Sequence, residues 1–70
     1  MIYAIETTGH GGRTRYAIKA VDDRGTIPVN CTAYRTEEAA RAAAELLGLT
    51  ISAVGDFWQL LHAARKAVQP

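Results

Sequence analysis

Oily and polar positions change their period along the chain. Ile2, Tyr3, Ala4 and Ile5 are consecutive apolar residues within Met1 to Thr8, the pattern of a strand covered on both faces. Gly9-His10-Gly11-Gly12 interrupts that run, because glycine reaches backbone angles that other residues avoid. Arg13 to Val21 then alternates, with Thr14, Tyr16, Ile18 and Ala20 on one face and Arg13, Arg15, Ala17 and Lys19 on the other. This predicts a half-buried strand with a basic outer side, paired with the first in an antiparallel hairpin. Asp22-Asp23-Arg24-Gly25 marks a tight turn. Ile27 to Arg35 reads as a third strand, with Ile27, Val29, Cys31 and Ala33 sharing a face and Asn30, Thr32 and Tyr34 sharing the other. Pro28 lacks a backbone donor, which places it on an edge strand or at a strand start.

The period then becomes helical. Thr36 is a suitable N-cap, and Glu37 and Glu38 suit the positive end of a helix. That helix is predicted over Glu37–Leu47. Its apolar stripe is Ala39, Ala40, Ala43, Leu46 and Leu47, its wet side carries Glu37, Arg41 and Glu45, and Gly48 is the stop. Thr50 to Val54 fits either a short fourth strand or a helix start. Asp56 followed by Gln59 has the spacing of a capping box and opens a second helix. Phe57, Leu60, Leu61, Ala64 and Val68 form its apolar stripe, Trp58, His62 and Arg65 lie beside it, and Pro70 closes the chain. The expected fold is α+β: an antiparallel sheet of three strands, or four if residues 50–54 pair, followed by two helices packed on one face. Residues 1–70 form a single domain.

Composition narrows the function classes. A chain of 70 residues beginning with Met1 reads as a complete small protein with one thin core. One cysteine, Cys31, permits no internal disulfide, which leaves local packing or a homodimer as the extra source of stability. Eight Lys and Arg against seven Asp and Glu argue for neither a strongly basic nucleic-acid binder nor an acidic DNA mimic. The chain is too apolar for disorder. No apolar run approaches the ~18 residues of a membrane span, and no basic segment precedes an apolar leader. A cytoplasmic protein is the expectation.

Candidate chemistry is sparse. Phosphate-binding glycine loops run from a strand into a helix, whereas Gly9-His10-Gly11-Gly12 runs into a strand and reads as a hairpin loop. Cys31, His10 and His62 stand at no metal-ligand spacing, so neither a metal nor another cofactor is expected. Cys31 falls on the apolar side of its strand and reads as a small hydrophobe. Asp22 and Asp23 are accounted for by their turn. No catalytic constellation suggests itself, and the chain reads as non-enzymatic. The basic stripe Arg13, Arg15 and Lys19 is the better lead, since residues 9–21 contain no acid and such a stripe suits phosphates or acidic protein surface. Tyr34 on the outer face of strand three would add an aromatic anchor and Trp58 a second, because interfaces favour Tyr, Trp and Arg.

Two resemblances bear on these residues. Ala40 to Gln59 resembles a helix-turn-helix DNA-binding motif, with Ala44 at the small-residue position, Gly48 at the turn, and Val54 and Phe57 at later apolar positions. It implies a recognition helix starting near Ser52, lined by Thr50, Ser52, Ala53, Asp56 and Gln59. Gly55 and the cap at Asp56 argue for a break in that helix. The layout of a hairpin ending in Thr32 to Ala40 (Thr-Ala-Tyr-Arg-Thr-Glu-Glu-Ala-Ala), then an alanine-rich helix, resembles short phage and plasmid proteins, among them anti-CRISPR inhibitors. It implies a module that blocks a protein partner, such as a host nucleoprotein defence complex, and it carries over no functional residue. The leading expectation is therefore a small protein-binding inhibitor from a mobile element, using Arg13, Arg15, Lys19, Tyr34 and Trp58. The alternative is a helix-turn-helix regulator binding DNA directly.

Overall fold

The computed structural model describes residues 1–68. Pro70 and the side chains of His10 and Val68, on which expectations were placed above, lie outside the described residues. The elements run β1 (Ile2–His10), β2 (Arg13–Asp22), β3 (Gly25–Pro28), α1 (Glu37–Leu46), β4 (Ile51–Gly55) and α2 (Phe57–Val68). This is the expected α+β class, and the fourth strand left open at residues 50–54 forms, over Ile51–Gly55. The sheet order is β3-β2-β1-β4.

Local chemistry sets the boundaries. β1 runs on to His10, and the hairpin closes on Gly11 and Gly12 alone, with φ of 58° and 81°. Two positive φ angles in succession match the twist of a two-residue hairpin, and glycine adopts them without strain. The Asp22 carboxylate accepts the amides of Arg24 (2.8 Å) and Gly25 (3.1 Å), which fixes the second turn. Thr36 Oγ1 accepts the Ala39 amide at 3.1 Å and caps α1. At the other end Gly48, at φ 75°, lets Leu49 donate back to the Ala44 carbonyl at 2.9 Å. Asp56 and Gln59 exchange reciprocal bonds of 2.8 and 2.9 Å, the capping box read from the sequence.

The direction of β4 differs from the antiparallel sheet expected. β4 pairs with β1 in parallel, while β1–β2 and β2–β3 are antiparallel. The cause is α1. It carries the chain from β3 at one edge to β4 at the other, and a crossover that reverses twice delivers a strand parallel to β3 and therefore to β1.

The two helices also cover opposite faces rather than one. Residues paired across the ladder share a face, so Ile2, Ala4 and Val21 lie on one side, and Ile5 and Ile18 lie on the other. Ala4, Val21, Leu60 and Ala64 form one cluster, with Ile2 and Ala53 against it. That side belongs to α2. Ile5 and Ile18, directly opposite each other, are also wholly buried. Their cover is α1, which touches β1 and β2 and buries Ala40 and Ala44. Alanines let α1 sit close, and each large apolar side chain so covered contributes roughly 1.5–3 kcal/mol.

Three further expectations are corrected. β3 stops at Pro28 rather than Arg35, because Pro28 offers no ladder donor and the Asn30 side chain turns the chain by accepting the Thr32 amide at 3.3 Å. Cys31 is consequently exposed instead of on an apolar face. In α1 the buried pair is Ala40 and Ala44, while Ala39, Leu46 and Leu47 are exposed, Leu46 at 90%. Leu46 lies six residues past Ala40, about 240° around the helix from it.

Candidate interaction face

The β1–β2 hairpin is longer than the sheet that flanks it. β4 pairs with β1 only over Tyr3–Glu6, and β3 pairs with β2 only over Lys19–Asp22. Beyond those limits, from Thr7 through the Gly11-Gly12 turn to Tyr16, the two strands run on as a two-stranded arm. Among the described residues its one further tie is a bridge from Tyr16 to Tyr34, with bonds of 2.9 and 2.7 Å. Four residues of strand give the arm a reach of roughly 13 Å.

The expected basic stripe is divided by this architecture. Arg13, Arg15 and Lys19 do share a face, opposite His10, Thr8 and Ala4. It is the face that α2 covers, not an open sheet surface. Lys19 is half-buried beside Ala4, in the covered part. Arg15 is half-buried where the arm leaves the body, and Arg13 is exposed near its tip. Trp58 stands in the first turn of α2, just after β4 ends with Gly55 opposite Glu6. It is therefore at the root of the arm and on the same side of the sheet. Its ring is 74% exposed and meets Phe57 edge-on, with centroids 5.2 Å apart and planes at 82°. That contact steadies an exposed indole.

Tyr34 does not belong to this group. Its bridge partner Tyr16 lies on the α1 side, and its hydroxyl accepts from the Asn30 amide at 3.1 Å. It is half-buried and secures the Val29–Ala33 loop to β2. Alternation counted beyond Pro28, where β3 ends, puts it on the wrong side.

Two cations join the face that the stripe did not include. Arg65 and Lys66 occupy the last turn of α2, both exposed, and α2 contains no acid. The signal was present in the sequence as an acid-free helix, but which side of the sheet it would occupy was not. Among the described residues the one ion pair is Arg41 with Glu37 at 2.8 Å, so Arg13, Arg15, Lys19, Arg65 and Lys66 have no acidic partner within bonding reach. Glu6 and Asp56 are the acids on this side, and Asp56 is engaged in its cap. α1, on the other side, carries Glu37, Glu38 and Glu45 against Arg41. The near-neutral chain is thus electrically two-sided.

The remaining candidates do not converge. His62 is exposed on α2 and Cys31 is exposed in the loop after β3. Among the described residues no three His, Cys, Asp or Glu gather as a metal site, and no pocket is found. The recognition helix implied from Ser52 is not formed, because Ile51–Gly55 is strand. Thr50, Ser52, Ala53, Asp56 and Gln59 therefore cannot line one helix. No helix of the described residues is long and apolar enough to cross a membrane. No family model matches the chain, and no curated protein or solved structure matches it.

Proposed function

We propose that this chain is a non-enzymatic binding module that docks its α2 side onto an anionic surface of a host protein assembly, a nucleoprotein complex being the natural kind. A mobile-element inhibitor acting on a CRISPR effector or a similar defence complex in the cytoplasm is one such role. The observation that carries the reading is an exposed Trp58 on the same side of the sheet as Arg13, Arg15, Arg65 and Lys66, none of which has an acidic partner among the described residues, and near the root of a projecting arm. Interfaces draw on Trp and Arg as anchors, and a cationic face speeds approach to an anionic partner. The test is affinity capture from host lysate with the wild-type chain and with Arg13→Glu/Arg15→Glu, each with and without nuclease. A partner held by the wild type and lost by the charge-reversed chain is expected. Equal capture by both would remove the arm from the interface.

A further inference from the structure

Resting on that docking reading, we infer that the α2 side binds single-stranded nucleic acid, its cations following the phosphates and Trp58 stacking on a base. The cations lie in two groups, on the arm and in the last turn of α2, with Trp58 between them along the chain path. From the arm tip they run Arg13, Arg15, then Trp58 at the start of α2, then Arg65 and Lys66 in its last turn. α2 runs back from the end of β4, so the arm and the helix extend in opposite directions from Trp58. That path spans roughly 13 Å of strand and about 12 Å of helix. A track of that length matches the shorter single-strand sites, which start at about four nucleotides.

Charge complementarity selects a polyanion, and Trp58 selects which one. An indole on a convex surface can stack only on a base whose face is free, and a duplex hides its base faces. An acidic polypeptide would satisfy the cations but offers an aromatic face only where its own sequence supplies one, whereas every base of a single strand carries one. The ring meets Phe57 at 82° and is still 74% exposed, which leaves ring surface open to a base.

Trp58 is the one tryptophan in the chain, so its fluorescence reports the contact directly. The chain is titrated with oligothymidylate of about twelve nucleotides, with an abasic phosphodiester of equal length, with a duplex, and with polyglutamate. The expected result is saturable quenching by oligothymidylate and none by the abasic strand. Affinity should fall with salt at a log–log slope of about −0.7 per cation engaged. By anisotropy of a labelled oligonucleotide, Arg13→Glu/Arg15→Glu and Trp58→Ala should each weaken binding about tenfold or more, circular dichroism confirming that both variants are folded. Equal affinity for the abasic strand, or tighter binding of the duplex without quenching, would overturn the inference. Binding of polyglutamate but not of oligothymidylate would overturn it while leaving docking on an acidic protein intact. Binding of none of the four would remove both readings.

Discussion

The β1–β2 hairpin contains two regions built by the same backbone ladder and held by different forces. In the body, Ala4, Ile5, Ile18 and Val21 are wholly buried, with a helix over each face. In the arm, Thr8, Gly9, Arg13 and Thr14 are exposed, and neither β3 nor β4 lies alongside. An isolated two-stranded hairpin is marginal in water. The arm therefore borrows its order from the body through continuous strands, from the turn at Gly11 and Gly12, and from the Tyr16–Tyr34 bridge. The buried contacts are thus concentrated in one stretch of the two strands, and the other is left open for the proposed recognition.

The largest expected effect is in the body. Ile18 is wholly buried, faces Ile5 across the ladder and lies under α1. Ile18→Ala should cost about 3 kcal/mol through lost burial and the cavity left behind. A domain of this size has little more than that in hand, so chemical denaturation should show the cooperative transition nearly lost. Leaving the transition intact would mean that α1 does not seal this face. The arm offers the matching change. Gly12 sits at φ 81° with open space where a Cβ would be, so Gly12→Ala adds no clash and costs about 1 kcal/mol in backbone strain alone. Because the arm lies outside the core, amide exchange should quicken over Thr7–Tyr16 while the amides of Ile5 and Ile18 hold their protection. Uniform loss of protection would show that arm and body unfold as one unit.

A change of similar size probes the point where the two regions meet. Asp56→Ala removes the acceptor of the Gln59 amide at the start of α2 and should cost about 1 kcal/mol. Gly55→Ala attacks the same cap from behind. An added Cβ would run into the Gln59 side chain, 3.0 Å from its Cβ and Cδ, and would drive its amide oxygen off the Asp56 amide. Thermal melts should show similar losses for both single variants and, for the double, a loss well short of their sum, since both undo one box. Full additivity would separate Gly55 from the cap.

These contrasts also show what could be read in advance. Period-two alternation put Arg13, Arg15 and Lys19 on one face, and short-range chemistry located Thr36, Gly48 and the Asp56–Gln59 box, since each involves neighbours within a few residues. The direction of β4 and the side taken by α2 depend on where a crossover lands the chain, which no local pattern encodes. Trp58 could be chosen as an anchor, but not the side of the sheet it shares with Arg13 and Arg15. The side taken by Tyr34 is not legible because alternation holds only as far as Pro28, where the strand ends. Leu46 was assigned to a core it never reaches, because alanine-rich helices offer several apolar arcs and only tertiary contact chooses among them.

The smallest expected effect on stability is the most telling for function. Arg13 and Arg15 have no acidic partner among the described residues. Among the described residues the one hydrogen bond from the Arg15 side chain runs to the neighbouring Thr14 carbonyl at a long 3.3 Å. Replacing both by serine removes no buried contact from Arg13 and only part of an aliphatic stem from Arg15, so urea denaturation should shift by no more than about 0.5 kcal/mol. If the arm served the fold, as the body does, the pair would register there. If it serves recognition, the same variant should melt like the wild type and yet lose the nucleic-acid binding and partner capture set out above. A variant that loses stability and binding together would merge the two regions that the architecture separates.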